Sequence, residues 1–351
     1  MKTSRILIAF LLSAVLPATA QTARLYTSEN GLLNTQINRI YQDGKGFIWV
    51  ATEGGLLRFD EVGFETFRHD RENANSLPSD SVHDILEDSH GTKWVATASG
   101  LARFESEYNR FLLYNLQDAR NGASTQFIDR ILELPNRVSG SSLYICTSGF
   151  GVYVIDPQTG TLQDNKRERL YKHLPSEYIS NLYLDSDRHL WILPADVSGT
   201  VILDADSLDP ATDITWAPDL ARDSGQYRIT AIAEDPLSRN LLLATAENGL
   251  LLYDAATRSI RRARGTGSRT VSATAAIYNT FSGQEDGRSF LLGNENGGLL
   301  FFDIDTESVR PGSLPSIRQE SRRWKATALL GDNQGNLWLG LYQTGLMVAP
   351  R

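Results

Sequence analysis

Seven glycines, Gly55, Gly100, Gly151, Gly199, Gly249, Gly298 and Gly345, recur 45 to 51 residues apart, and each closes the same short phrase. The phrase is clearest as DGKGFIWVATEGGL over residues 43–56 and DSHGTKWVATASGL over residues 88–101. A large side chain recurs inside it, as Trp49, Trp94, Tyr144, Trp191, Leu242, Leu291 and Trp338. A unit of this length cannot bury its own apolar face and has to stack on its neighbours. The period therefore dictates architecture, and function has to be sought where the period breaks.

Each unit holds four short apolar runs rich in β-branched and aromatic residues, punctuated by Gly, Asp and Asn. In the first two units these are Ile37 to Tyr41, Ile48 to Thr52, Leu56 to Phe59 and Phe64 to Phe67, then Val82 to Leu86, Trp94 to Thr97, Leu101 to Phe104 and Phe111 to Tyr114. Runs of four to six residues with this composition are strands. Asp43-Gly44-Lys45-Gly46, Asp88-Ser89-His90-Gly91 and Asp332-Asn333-Gln334-Gly335 read as the hairpin turns between first and second strands, an Asp accepting backbone N–H bonds and a Gly free to take positive φ. Four-stranded antiparallel units repeated around a closed ring describe an all-β, seven-bladed β-propeller. The seventh unit has three strand runs, Ala326 to Leu330, Leu337 to Leu341 and Leu346 to Val348, while an unassigned strand, Arg24-Leu25-Tyr26, precedes the first. The last blade is therefore expected to be completed by the N-terminal strand, closing the ring.

Residues 1–20 read as a secretory signal: Lys2 and Arg5, an apolar stretch Ile6 to Leu16, and a small-residue cleavage site at Pro17-Ala18-Thr19-Ala20. The expected organisation is a signal peptide over 1–20 and one propeller over 21–351, exported to the periplasm with no membrane span after cleavage. The net charge of −8 argues against a nucleic-acid partner, which needs clustered cations. The basic stretch Arg258, Arg261, Arg262 and Arg264 reads as a solvated edge strand. Cys146, the one cysteine, excludes an intrachain disulfide and falls where other units place Ala51, Ala96 and Ala244, in mid-strand.

The segments L-P-S-D-S-V-x-x-I (77–85), D-S-H-G-T-K-W-V-A-T (88–97) and G-L-A-R-F (100–104) resemble the two-component regulator propeller repeat. The first unit matches equally well through Gly31-Leu32, Ile37, Ile40, Asp43, Gly46, Trp49, Thr52, Gly55-Leu56 and Phe59. The fourth and seventh units match in part; the third, fifth and sixth lose the Trp. The resemblance implies the periplasmic sensor of a hybrid two-component histidine kinase, of the Bacteroidetes type that responds to oligosaccharides, and a histidine-kinase module or other protein partner. The sequence shows no kinase core, and its histidines (His69, His83, His90, His173 and His189) all fall within or beside the repeats. A sensor module from a longer gene and a freestanding exported propeller both fit.

The D-x-x-G-x-x-W phrase is close to the structural Asp-box of sialidase propellers, and the arginine cluster and tyrosine nucleophile of such an enzyme are missing. Asp185-Ser186-Asp187 begins like a calcium loop, but lacks the glycine at the sixth position and ends on Asp196, so it reads as another turn. Gly54-Gly55 and Gly297-Gly298 read as turn glycines. No cofactor, metal site or catalytic group is expected. The loop leading into each first strand gives the unrepeating column Thr35, Asp80, Gln126, Glu177, Tyr227, Ser272 and Trp324. At the mouth of a central channel such carboxylates, amides and aromatics suit a neutral sugar, so this column is the expected ligand site. Trp216 is expected in the fourth strand of the fourth blade, at the rim. The leading expectation is a non-enzymatic ligand-sensing propeller; a propeller carbohydrate enzyme, hydrolase or lyase, and a protein-binding scaffold are the alternatives. Two carboxylates in reach of each other, such as Asp80 and Glu177, would favour the enzyme.

Overall fold

A computed structural model describes residues 23–350 apart from Asn115, 117–126, 136–139, Ser198, 222–226, Glu247, 265–270, Ser272, 279–287, 295–296 and 313–323. The proposed signal sequence, Gln126 and Ser272 lie outside the described residues.

The strands assemble into seven sheets, one for each repeat, forming a seven-bladed β-propeller. Blade one is Ile37–Gln42, Ile48–Thr52, Gly55–Phe59 and Phe64–Phe67, and blade two is Val82–Glu87, Lys93–Thr97, Gly100–Glu105 and Arg110–Tyr114. Blade seven runs Ala326–Gly331, Leu337–Leu341 and Gly345–Ala349, with Arg24–Tyr26 added as its fourth strand. Arg24 faces Val348, Leu25 faces Met347 and Tyr26 faces Leu346, antiparallel. The N-terminal strand thus closes the ring, as the strand count predicts.

The repeated glycines all have positive φ: 135° at Gly55, 132° at Gly100, 66° at Gly151, 108° at Gly199, 76° at Gly249, 84° at Gly298 and 134° at Gly345. They turn the chain from second to third strand in a conformation that costs a residue with a Cβ about 1 kcal/mol or more. The repeated Asp and Trp are equally structural. Asp88 Oδ1 accepts from the backbone N–H groups of His90 and Thr92, while Oδ2 accepts from Trp94 Nε1 at 2.8 Å. Asp43 with Trp49, Asp185 with Trp191 and Asp332 with Trp338 repeat the indole bond. In blade five, where Leu242 replaces the Trp, Asp235 Oδ2 instead accepts from Ser238 Oγ and from Arg288 of the next blade.

Three departures from four strands per blade matter. In blade three the first three strands, Ile128–Pro135, Ser141–Thr147 and Val152–Ile155, are followed by a single bridge, Ile155 to Leu162, and then by the helix Asp164–Tyr171. In blade four (Ile179–Leu184, His189–Pro194 and Val201–Asp204) the fourth strand is reduced to a bridge from Leu203 to Pro210, and proline has no N–H with which to extend a ladder. Trp216 is not in blade four. The strand Thr215–Trp216 pairs in parallel with Ser259–Arg262, the fourth strand of blade five, giving that blade five strands. Trp216 stacks on Tyr227 at 5.5 Å and 11°, so it is a packing residue. The basic stretch is therefore covered by another strand. Its charges are met by acids, Arg258 by Asp213 and Arg261 by Glu307. Cys146 is buried in its strand, and that burial pushes its thiol pKa well up.

Candidate functional site at the channel mouth

The first strands of neighbouring blades pack against one another around the ring axis, closely at every junction except that between blades four and five. All seven carry a bulge after their first residue, at Asn38, His83, Asp129, Ser180, Thr230, Thr274 and Thr327. A bulge re-aims the extra side chain, and here every bulged residue is polar. Asn38 Nδ2 donates to the Val82 carbonyl, Thr230 Oγ1 to that of Ala273 and Thr327 Oγ1 to that of Ile37, at 2.7 to 2.8 Å. His83 Nδ1 lies 2.6 Å from the Ile128 carbonyl. Each bond joins one blade to the first strand residue of the next.

The mouth of this ring is built by the loop before each first strand and by the turn between second and third strands. The two are tied in register: Glu53 N–H to the Gln36 carbonyl, Ala98 to Ser81, Ser148 to Phe127, Ala195 to Tyr178, Ala246 to Arg228 and Tyr342 to Lys325.

On the side of blades one to four the mouth carries one connected constellation. Glu53 Oε1 accepts from Asn38 Nδ2 at 2.8 Å and its Oε2 from Ser81 Oγ. Ser81 Oγ lies 3.0 Å from His83 Nε2. Held at both nitrogens, the His83 ring also packs against Phe127, tilted by 39° with centroids 4.4 Å apart. On blade three, Ser148 Oγ donates to Asp129 at 2.8 Å, and Ser148 bridges to Tyr178 of blade four. Burial pushes the Asp129 carboxyl above the usual carboxylate range, against the pull of Ser148, His83 and Arg130. Phe127 and Tyr178 remain 42% and 48% exposed. Deeper in the lumen, Asp84 is buried between Arg39 at 3.3 Å and Arg130 at 3.5 Å. Arg39 leaves 46% of its side chain open, and desolvation draws its pKa below the ordinary arginine value.

The expected column lies one residue away from this constellation. Thr35 is half-buried. Asp80 accepts from Arg68 at 3.1 Å and from the His69 N–H at 2.7 Å, which secures the connection between blades one and two. Glu177 is exposed, and its carbonyl accepts from Gly149 and Gly151 N–H. Two members correct the expectation of an open aromatic lining. Tyr227, at 2% exposure, packs in the core, and Trp324 is half-buried against the core between blades six and seven. The residues after them, Ser81, Phe127 and Tyr178, are the ones that join the constellation. The signal was present in the sequence as an equally unrepeating neighbouring column, Gln36, Ser81, Phe127, Tyr178, Arg228, Ala273 and Lys325. The bulge column, polar in all seven blades, was the second signal.

Among the described residues no group of three or more His, Cys, Asp or Glu side chains is arranged to hold a metal ion, and no helix is long and apolar enough to cross a membrane.

The sequence model of the family described as "Two component regulator propeller" matches residues 31–54. No curated protein matches the chain. Among solved structures, extracellular domains assigned to two hybrid two-component systems of B. thetaiotaomicron superpose with a TM-score of 0.68 each, at 22% and 19% identity. The alignments cover 93% and 90% of this chain but 41% and 40% of those domains, so the chain spans about two fifths of their length. Virginiamycin B lyase from Staphylococcus aureus superposes with a TM-score of 0.60 at 14% identity, over 90% of this chain and 94% of that one. At such identities the shared property is the fold. Residues 31–54 match the two-component regulator propeller repeat, within a seven-bladed propeller.

Proposed function

We propose that this chain is the ligand-recognition propeller of a two-component sensor, exported to the periplasm, and that it reads a neutral oligosaccharide at the channel mouth without chemical change. The observation that carries this reading is the pair of exposed rings, Phe127 and Tyr178, set beside a connected row of hydrogen-bonding groups. A sugar offers apolar C–H faces that stack on rings and hydroxyls that both donate and accept. Ser81, Glu53, Asp129 and Ser148 supply donors and acceptors side by side, already oriented by their neighbours. Output would pass to a histidine-kinase module, in line with the family repeat at residues 31–54.

A hydrolytic reading draws on one feature, Ser81 Oγ facing His83 Nε2. The same hydroxyl is engaged by Glu53, and Asp80, the carboxylate considered for acid–base work, is committed to Arg68 and His69. The binding role is the better supported one.

An array of neutral oligosaccharides, followed by titration calorimetry on any that bind, tests the proposal. Phe127→Ala and Tyr178→Ala should each weaken binding about tenfold, the scale of one lost stacking contact, with thermal unfolding unchanged. Binding that persists at full strength in both variants would place the site elsewhere. Failure of the wild-type protein to bind any neutral oligosaccharide would overturn the ligand class.

A further inference from the structure

The helix Asp164–Tyr171 stands where the repeat calls for a fourth strand, and its outward residues help to wall a cavity of about 370 Å³ between blades three and four. Leu170 is buried, and the Arg167 guanidinium lies 4.0 Å from the Tyr153 ring centroid. These two anchors turn Lys166 and Arg169, three residues apart and so on one helix face, toward the cavity. The opposite wall is Arg188, Ala205, Asp206 and Leu208 of blade four, and Tyr144 contributes from blade three.

The charges in this cavity do not balance. Arg188 is bound by Asp206 through two nitrogens and also donates to the Pro135 carbonyl, so that pair is neutral. Lys166 Nζ donates to Ser142 Oγ at 2.8 Å; no carboxylate of the described residues lies within ion-pair distance of it, Asp156 acting only from farther away. Arg169 has one long contact, 3.6 Å to Asp209, with both side chains largely open. Desolvation lowers the Lys166 pKa, which marks a protein-walled setting where an anion gains more than at an open surface. In a chain of net charge −8 this is a local excess of cations in a concavity.

The repeat shows how Arg188 is placed. The third residue after the turn Asp is Gly46, Gly91 or Gly335 in the matching hairpins, with φ of 92°, 81° and 87°. In blade four it is Arg188, at φ 69°. An arginine in the left-handed region costs about 1–2 kcal/mol relative to an ordinary conformation, and Arg239 takes the corresponding place in blade five at φ 61°, so the conformation belongs to the turn. The Arg188 side chain spans the cavity rim to blade three, fixing its width.

We propose that this cavity binds a tetrahedral oxyanion, a phosphate or sulfate group, between Lys166 and Arg169 of the helix, with the Tyr144 hydroxyl as a further donor. Lys and Arg match such oxygens by charge and by parallel N–H groups. The site lies on the outer groove, away from the channel mouth, and stands or falls separately from the sugar reading.

Titration calorimetry at low ionic strength with inorganic phosphate and sulfate, against chloride, is the test. Wild-type protein should bind one equivalent saturably, with Kd of about 1 mM or tighter. Lys166→Ala with Arg169→Ala should weaken this at least tenfold, and Tyr144→Phe about threefold, while Phe127→Ala leaves it unchanged. Arg169→Glu, on an exposed side chain, gives the same reading without disturbing the Ser142 contact. Glucose 6-phosphate and glucose 6-sulfate, compared with glucose and the free anions, show whether the group is carried on a sugar or arrives alone. Non-saturable uptake, or binding untouched by the helix variants, overturns the proposal.

Discussion

Asp129 shows what one residue can do against a repeating background. At the equivalent bulge, Asn38, His83, Thr230 and Thr327 reach the next blade's first strand at 2.6 to 2.8 Å. An ionised carboxylate has no proton with which to do so. Burial accordingly raises the Asp129 pKa. The native state then holds its proton more tightly than the unfolded chain, whose Asp titrates near about 3.9. Stability from this group is greatest at low pH, falls as pH rises through the native pKa, and stays low above it. Asp129→Asn should remove that dependence and add about 1 kcal/mol at neutral pH, the worth of one regained hydrogen bond. Denaturant unfolding of both proteins between pH 4 and pH 8 checks it; parallel pH profiles would refute it. If Asp129 also accepts from a bound sugar, the stabilised variant loses affinity, the usual trade of a functional residue.

At the scale of elements, the strands were legible because their composition and turns repeat, and the failures fall where a single blade departs from the rest. The helix Asp164–Tyr171 has a weak apolar signal: Leu170 is buried, but its other buried residue is Arg167, held between Tyr171 one turn on and Tyr153 of the preceding strand. Periodicity cannot register a cation buried by cation–π contact. The strand Thr215–Trp216 was misplaced for a different reason. Two residues carry no alternation, and their partner lies in the following blade, a pairing that local pattern does not encode. Which residues of the loop before each first strand join the constellation is not legible, because a loop without ladder bonds gives no parity for which side chains point outward. The strap itself can be tested. Thr215 N–H donates to the Arg258 carbonyl at 2.9 Å and Ala217 N–H to that of Ile260 at 2.8 Å. Thr215→Pro removes the first bond and should cost about 1 kcal/mol. Hydrogen exchange over Ser259–Arg262 should rise several-fold with exchange in blade two unchanged; equal protection in both proteins would show that the strap carries no load.

For the whole molecule, closure is the property that the seven-unit period alone cannot provide. A ring of stacked blades has free sheet edges at its seam unless the ends of the chain share a blade. Arg24–Tyr26 against Gly345–Ala349 is that shared blade, and the seam is packed on both sides. Tyr26 meets Phe59 and Phe64 of blade one at 5.7 and 5.1 Å, and Phe59 meets Trp338 at 5.4 Å. Thr327 bonds to the Ile37 carbonyl across the same junction. Gly345 has φ 134°, and a Cβ there would collide with the Tyr26 carbonyl oxygen. Strand pairing and positive φ therefore meet at one glycine, so Gly345→Ala should disturb the seam without touching either proposed site. A chain beginning at Ser28 should go further. It leaves the Gly345–Ala349 edge unpaired beside exposed aromatic rings, so it should associate with other copies as concentration rises. Light scattering after size exclusion would show growing mass for the truncated chain, a smaller effect for Gly345→Ala, and a constant mass for the intact protein. Its melting temperature should fall by several degrees, since a loss of a few kcal/mol moves a domain of this size by about 2–4 °C per kcal/mol. A truncated chain that stays monomeric and melts with the intact protein would mean that the other six blades hold the ring closed unaided.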